Sequence, residues 1–506
     1  MDKTTLSPPA LKYVEHLEKE ILILKEQIRL LLYKRYARSA ERLLAGKEQL
    51  LLFTEEQPQA EALTNSTGEK QQIKSYTRKK AGRKPIDPRL PREEEIIDIP
   101  ETEKICACGQ EMSRIGEETS EKVEIIPPSM YVLRTVRPKY ACRSCEGTED
   151  ENKPAIRIAS PPPTIIPRSI ASASLLSYVM IQKYQDHLPF YRQEVQFRRI
   201  GIWISRQDMS NWQQQVYAKL APLYNLLKEI LKSGFVLQMD ETTVQVMGEE
   251  GRDDTQKSYM WLARGGPPGK IVVLYEYRET RGAYNAKKIL EGYRGYLQTD
   301  GYEGYDAAIK DMPDIIHVGC FAHARRKFFE ASKSAKETSS AEAGIKWIRK
   351  LYELEDRLRQ ANLGDDDFLV QRKKEAEPIL TEFRAWLEKQ AVEVLPSALL
   401  GKAVSYTLNQ WNKLIKYLEN PHLRPDNNAC ENAIRPFVIG RKNWLFNKSP
   451  EGAESSCGMY SLIETAKQNG LEPLIYLCKL FELSPLAVST NDWEKLLPWN
   501  ISTTST

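Results

Sequence analysis

The chain lacks long apolar runs and has few cysteines. No run approaches the length of a transmembrane helix, and the segment Met1–Pro9 contains no apolar signal region. Neither a membrane association nor secretion is therefore expected. The eight cysteines in 506 residues include two tight pairs, a usage more typical of a reducing cytosol than of a disulfide scaffold.

The chain also lacks a strong charge of one sign. Its 73 Lys and Arg against 69 Asp and Glu give a formal net charge of +4. Any affinity for nucleic acid must therefore come from local patches. The hydrophobic content of 41% is sufficient for real cores, and the length predicts several domains.

Three acidic residues stand at the boundaries of differently patterned segments. Asp240 follows the apolar run Phe235–Met239, Asp300 follows Gly295–Thr299, and Glu431 lies where a helix starts. Each acid alone is more often a cap, a turn former or half of a helix ion pair. Two carboxylates on strand ends and one on a distant helix can together hold two divalent cations around a phosphodiester. The combination favours cleavage or transfer of nucleic-acid strands.

The segments around Asp240 predict a mixed α/β sheet. From residue 235 the pattern reads as three strands, a helix, a strand that ends at Asp300, a helix and a last strand. This order matches a five-stranded sheet of ribonuclease-H type, in which the first and fourth strands are neighbours. Asp240 and Asp300 would then share one edge. Successive strand side chains face opposite ways, so Asp240 is preferred over Glu241.

This ribonuclease-H-like core is predicted over residues 233–329 and 426–470. The helical pattern of residues 330–425 is interpreted as an all-helical insertion ahead of Glu431, and residues 471–506 as a C-terminal helical segment. The expected fold class is multidomain α+β.

Residues 1–54 are predicted to form a helix with a leucine-zipper-like seam. Apolar residues recur there at spacings of three and four, at Val14, Leu17, Ile21, Leu24, Ile28 and Leu31. Such a seam either packs on its own chain or pairs two copies as a short coiled coil. Because no globular sequence lies nearby, the second reading and a homo-oligomer are favoured.

Residues 55–100 are polar and Pro-rich and are interpreted as a linker. A basic run around a glycine lies inside it and ends in Gly-Arg-Lys-Pro. Such a run can lie in a narrow DNA minor groove, although a solvated charge run is the alternative. The candidate DNA contacts are Arg78, Lys79, Lys80, Arg83 and Lys84.

Residues 101–160 are predicted to form a zinc-binding ribbon. Two cysteine pairs, separated by strand-like runs, have the spacing of a tetrahedral four-thiolate site; they are Cys106 with Cys108 and Cys142 with Cys145. A module this small has little core, so the metal would stabilise its fold. A closed four-thiolate site has no open position, and its role would be structural.

Residues 161–232 read as helices and are predicted to contain a helix-turn-helix. Gly201 lies in a short turn before Ser205, which is a suitable N-cap with Asp208 at the capping-box position. Arg206 would open the recognition helix and contact DNA. Helical hairpins are also common for purely structural reasons.

Basic and aromatic side chains follow the third acid. This strip is suited to gripping phosphates and stacking on a displaced base. Its candidate DNA contacts are Arg435, Arg441, Lys442 and Trp444, together with Arg325, Arg326 and Lys327 from an earlier basic run. The single pair Cys320 and His323 is more typical of packing than of metal ligation, and no second zinc site is predicted from it.

With these segments the chain resembles the transposases of insertion-sequence-66-type bacterial elements, which are DDE transposases. The resemblance extends over nearly the whole chain. The matching segments are Gly82–Pro85, Arg137–Cys142, Met239–Thr242, Thr299–Tyr302, Cys320–Phe328, Glu431–Pro436, Gly440–Phe446 and Leu496–Trp499.

The resemblance implies binding of terminal inverted repeats, followed by DNA strand cleavage and strand transfer. Asp240, Asp300 and Glu431 would coordinate two Mg²⁺ ions, with Mn²⁺ as a substitute, and the paired cysteines would hold a structural Zn²⁺. Arg435 and Lys442 would clamp phosphates. The implied partners are the element ends, the target DNA and accessory proteins of the same element. The implied location is the bacterial cytoplasm, at the nucleoid.

Two other functions remain open from the residues. A DNA-binding protein derived from a transposase would use the ribbon and the helix-turn-helix without catalysis, but the intact set of three acids argues against it. A nuclease with the same core would cleave DNA without joining the ends to a target.

Overall fold

The computed structural model describes most of residues 14–31 and all of residues 130–141, 156–334 and 340–501. The chain forms two compact units, residues 1–55 with 161–506 and residues 56–160. The described part of the second unit contains the antiparallel strands β1 (Lys139–Ala141) and β2 (Ile156–Ile158).

Two sets of predicted functional residues lie outside the described residues, one of metal ligands and one of DNA contacts. They are the four paired cysteines, Cys106, Cys108, Cys142 and Cys145, and the basic residues of the linker, Arg78, Lys79, Lys80, Arg83 and Lys84.

The N-terminal helix α1 (residues 14–31) has an exposed apolar seam. The exposed fractions along it are 37% for Leu17, 49% for Ile21, 55% for Leu24, 54% for Ile28 and 65% for Leu31. The side chain of Glu26 accepts a hydrogen bond from the backbone N–H of Leu399 at 3.2 Å. The seam therefore remains uncovered within the described part of the chain.

Four helices lead into the sheet, as the helical pattern predicts. They are α2 (Ala173–Tyr184), α3 (Phe190–Arg199), α4 (Arg206–Lys219) and α5 (Ala221–Lys232). The turn between α3 and α4 passes through Gly201 at φ +82°. Ser205 caps α4 and forms the predicted capping box with Asp208. One side of α4 is buried in the core through the side chains of Met209, Trp212 and Val216.

The strand order of the sheet makes the first and fourth predicted strands neighbours. The order is β5–β4–β3–β6–β7, and β8 pairs with β3. Strands β4 and β5 run antiparallel to β3, whereas β6 runs parallel to β3 and β7 runs parallel to β6. The strands are β3 (Val236–Val246), β4 (Lys257–Gly265), β5 (Val272–Arg278), β6 (Gly295–Gln298), β7 (Ile315–Val318) and β8 (Phe446–Asn447).

Strand β3 is longer than its apolar run predicts. The sequence suggests an end at Asp240, but antiparallel pairing with β4 continues from Gln238 to Gln245. That expectation was wrong because the outer half of β3 is stabilised by β4, a long-range partner that local hydrophobicity does not report. Asp240 therefore lies inside β3, just beyond the last residue paired with β6.

Two short helices connect the parallel strands, and helical residues then separate β7 from the third acid. The connecting helices are α6 (Ala283–Leu290) and α7 (Glu303–Ile309). The following helices are α8 (Phe321–Ser334), α9 (Ser340–Gln360), α10 (Asp365–Glu393), α11 (Leu399–Asn409) and α12 (Trp411–Leu414), with a 3-10 turn at Ile415–Glu419. These helices bury a hydrophobic core of their own.

Arg372 is fully buried among the insertion helices. Its guanidinium donates to the carbonyl oxygens of Tyr417, Asn420 and Pro421, and it forms an ion pair with Glu355 at 3.4 Å. This arginine anchors the segment that leads from the insertion to the third acid.

Four further helices complete the described part of the chain. They are α13 (Asn428–Trp444), α14 (Pro450–Gln468), α15 (Pro473–Leu483) and α16 (Thr490–Lys495). Helix α14 lies along the edge strand β5, where Ser461 accepts from the backbone N–H of Tyr275 at 2.8 Å and Thr465 from that of Val273 at 3.0 Å. In the described residues, no helix is long and apolar enough to cross a membrane.

Candidate metal and nucleic-acid site

The register of β3 and β6 brings Asp240 and Asp300 to neighbouring positions. Gln238 pairs with Gln298, and the two acids each follow their strand's glutamine by two residues, on the same side. The Gln238 amide also donates to the Gln298 side chain at 2.9 Å. This buried amide pair fixes the register just behind the two carboxylates.

Helix α13 brings Glu431 to the same place. Asn427, at the start of the helix, donates from its side chain to the carbonyl of Met239 at 3.0 Å. Because Met239 precedes Asp240, this hydrogen bond joins the helix start to β3 beside the first acid. Glu431 lies in the first turn of α13 and is only 2% exposed.

The three carboxylates interact electrostatically. Burial raises the pKa of Asp240 well above its ordinary value, and the charges of Glu241, Glu431 and Asp300 raise it further. Burial also raises the pKa of Glu431 from 4.5 to about 7, with contributions from Asp426 and Asp300. A divalent cation would remove this mutual repulsion.

The surroundings of Glu431 fit a cation. Both of its carboxylate oxygens are buried, and neither accepts a hydrogen bond from another described residue. Arg326 forms an ion pair with one oxygen at 3.5 Å, and His323 lies 3.5 Å from the other. Hard divalent cations prefer oxygen ligands of this kind, so the acid set is chemically suited to them.

Glu241 has different partners from Asp240. Its carboxylate pairs with Arg281 and accepts from the hydroxyl of Tyr305. Arg281 also lies 3.8 Å from Asp300 and stacks on the Tyr302 ring at 3.8 Å. No local motif in the sequence marks Arg281, and only the folded chain brings it to the second acid.

The predicted DNA contacts in the described part of the chain form three groups in space. Arg326 and Arg435 lie close enough to Glu431 to lower its pKa. The Nη2 atom of Arg435 is buried and has no hydrogen-bond partner among the described residues. Lys327 lies over the Tyr406 ring at 4.7 Å. Arg325 belongs to the same turn of α8.

In the second group, Arg441 and Trp444 contact neighbouring residues other than the three acids. Arg441 donates to the hydroxyls of Thr242 and Thr243 at 2.9 and 3.1 Å and joins α13 to β3. Trp444 packs edge-on against Phe437 at 5.4 Å. A third set is simply exposed: Lys442, beyond Arg441 on α13, and Arg206, at the start of α4.

Cys320 and His323 lie beside Glu431, the third acid. This proximity was not predicted from the sequence. Cys320 immediately precedes α8 and accepts a hydrogen bond from the backbone N–H of Asn427 at 3.3 Å. The Cys-x-x-His spacing gave a signal, but its partner Glu431 is more than a hundred residues away in sequence. Only the fold shows that all three converge.

The raised pKa of Glu431 predicts how the metal-free protein responds to pH. The folded chain retains a proton there near pH 7 that the unfolded chain has released, so stability falls as pH rises from about 5 to about 7.5. Burial lowers the pKa of His323 to about 4, which acts in the opposite direction below pH ~6.5. The Tm of the wild type, measured in EDTA, should therefore fall more steeply above pH ~6.5 than that of Glu431→Gln. Equal slopes would contradict the prediction.

Four family models match segments of this chain. A family model described as Transposase IS66 family matches residues 168–455, which include all three acids. Further models match the zinc-finger binding domain of transposase IS66 at 103–146, the IS66 C-terminal element at 461–499 and Transposase C of IS166 homeodomain at 23–94.

Two relatives are similar to this chain over most of their length. The uncharacterized protein y4hP of Sinorhizobium fredii (strain NBRC 101917 / NGR234) is 30% identical over 96% of this chain and 88% of its own length. The uncharacterized protein y4qI of the same organism is 33% identical over 83% of this chain and 77% of its own length. With a family model that covers more than half of its residues and spans its three converging acids, the chain belongs to the IS66 transposase family.

Proposed function

We propose that the protein is a DDE-type DNA transposase with a ribonuclease-H-like catalytic core. The observation that carries the proposal is the meeting of Asp240, Asp300 and Glu431 from two parallel strands and one helix start. The buried oxygens of Glu431, which accept no hydrogen bond from the described residues, support a cation there. The parallel pairing of β3 and β6 supports the proposed core type.

In the proposed reaction, Asp240, Asp300 and Glu431 hold two Mg²⁺ ions. Bound divalent cations stabilise charge on the attacking and leaving oxygens of an in-line displacement. A water would attack the phosphodiester at the element end and break its P–O3′ bond. The released 3′-hydroxyl would then attack a phosphodiester of the target and displace the 3′-hydroxyl of the target strand. No covalent protein–DNA bond forms, so a serine or tyrosine nucleophile is not needed.

The basic residues near the acids would bind the DNA backbone. Arg435 has a free buried Nη2 atom among the described residues and is the best-placed phosphate clamp. Arg326, which already contacts Glu431, would favour the ionised form of that carboxylate. Lys442 and Arg206 are exposed and would contact flanking phosphates.

A cleavage assay tests this function. The full-length protein, supplied with Mg²⁺ and labelled DNA that carries an element end, should nick the end and join it to a target plasmid. Binding without nicking would favour a non-catalytic DNA-binding protein. Nicking without joining would favour a nuclease.

The exposed seam of α1 would pair two copies of the chain and so two element ends. Ile21 and Ile28 are each about half exposed and belong to the repeating apolar spacing. Replacing both with lysine should raise the dimer dissociation constant by at least about 100-fold, because two charges enter the seam. Sedimentation equilibrium measures this change.

The matched control for the seam is Gln27→Lys, an exposed position between the seam residues. This variant adds a charge to the same helix outside the apolar seam and should associate like the wild type. An unchanged dissociation constant in the double isoleucine variant would refute pairing through α1.

A further inference from the structure

A second ligand cluster adjoins the acids. The Sγ of Cys320, a ring nitrogen of His323 and a carboxylate oxygen of Glu431 all lie within 4.8 Å of one another. Cys320 and Glu431 are each only 2% exposed. The cluster shares one residue with the proposed Mg²⁺ site and contributes two residues that the proposed reaction does not use.

Two helix starts build this cluster. Cys320 precedes α8 and His323 lies in its first turn, whereas Glu431 lies in the first turn of α13. The backbone N–H of Asn427 donates to the Cys320 sulfur, which joins the two helix starts directly. The ligands are therefore held by rigid elements rather than by loops.

Three polar atoms of the cluster have no hydrogen-bond partner among the described residues. His323 Nδ1 and both oxygens of Glu431 are buried without a hydrogen bond from any described residue. Buried polar atoms are nearly always satisfied, and leaving one unsatisfied is costly. A cation would satisfy the His323 nitrogen and one Glu431 oxygen at the same time, since these two atoms are 3.5 Å apart.

The donor types select the kind of cation. Sulfur, imidazole and carboxylate together are zinc-type ligands, whereas Mg²⁺ takes oxygen ligands. Arg326, which pairs with the other oxygen of Glu431, opposes a cation together with Lys327 and Arg435, whereas the nearby carboxylates Asp300 and Asp426 favour one. Three protein ligands would leave one position of a tetrahedral site open.

We propose that Cys320, His323 and Glu431 form a binding site for a borderline-soft divalent cation such as Zn²⁺. Its occupation draws Glu431 away from the hard-cation site, so Zn²⁺ inhibits strand cleavage. The inhibitory part rests on the proposed transposase function, whereas the binding part does not.

Cobalt(II) titration of the metal-free, full-length protein without DNA tests the binding. The wild type should bind one equivalent more than Cys320→Ser and show stronger thiolate-to-cobalt charge-transfer absorption. This difference holds whatever the ribbon cysteines bind. Cys457→Ser, which alters a cysteine buried elsewhere in the core, should titrate like the wild type. Equal stoichiometry for the wild type and Cys320→Ser would overturn the site, and His323→Gln gives the same comparison if Cys320→Ser does not fold.

Strand cleavage in Mg²⁺ with increasing free Zn²⁺ tests the inhibition. Cys320→Ser should need at least about tenfold more Zn²⁺ for half-inhibition than the wild type, since even outer contacts of metal ligands change affinity 10- to 100-fold. Equal sensitivity would overturn the inhibitory role. A wild type that never cleaves DNA would contradict the proposed function, and the cobalt comparison would still decide the site.

Discussion

Asp240→Asn, Asp300→Asn and Glu431→Gln should each lower Mg²⁺-dependent cleavage of element-end DNA by at least about 10³-fold, ~4 kcal/mol of transition-state stabilisation. Each change keeps the side-chain shape and removes one negative ligand from a site that needs all three. Single-turnover nicking of labelled DNA measures the effect. Binding of the same DNA, followed by mobility shift, should be retained.

Glu241→Gln is the matched control for these three variants. It removes a carboxylate directly beside Asp240, but one whose partners are Arg281 and Tyr305. Cleavage by this variant should stay within about tenfold of the wild type, because no proposed metal ligand is lost. If one of the three acid variants cleaved at the normal rate, the role assigned to that acid would be wrong.

Arg372→Met should lower the free energy of unfolding by about 3 kcal/mol. The methionine fills similar space but removes the arginine donor from the carbonyls of Tyr417, Asn420 and Pro421, of which Asn420 keeps the Leu423 N–H and Pro421 keeps Arg359. Among the described residues, Glu355, which is 4% exposed, then keeps Arg359 as its cationic partner. Chemical denaturation followed by circular dichroism measures the change. Cleavage should also fall, because the anchored segment leads to Glu431.

Arg384→Met controls for the loss of an arginine from the same helix. Arg384 pairs with Glu388 on the exposed side of α10, where the side chains are 51% and 56% exposed. Such a surface pair contributes about 0.5 kcal/mol or less. A loss of stability in Arg372→Met no greater than in this control would show that the buried network does not anchor the insertion.

Local pattern was enough to predict much of the fold. The run Ile315–Val318 was predicted as a strand and is β7, and the capping box of Ser205 and Asp208 begins α4 as expected. These features depend on residues a few positions apart, which a sequence displays directly. The neighbour relation of the first and fourth strands also followed, because it depends on element order.

Other features depend on contacts between distant segments. The outer half of β3 forms through β4, and Arg441 joins α13 to Thr242 and Thr243 across about 200 residues. The approach of Cys320 and His323 to Glu431 is of the same kind. Spacing along the chain does not predict these contacts, because they depend on how the insertion returns the chain to the sheet.

The hydroxyls of Ser461 and Thr465 have a consequence for how copies of this chain can associate. By satisfying backbone donors of β5, they leave that margin of the sheet with fewer free groups for an incoming strand. Strand addition there would first require α14 to detach. While α14 is in place, copies of the chain therefore cannot associate by strand addition along β5, which also protects this edge from fibre-like aggregation.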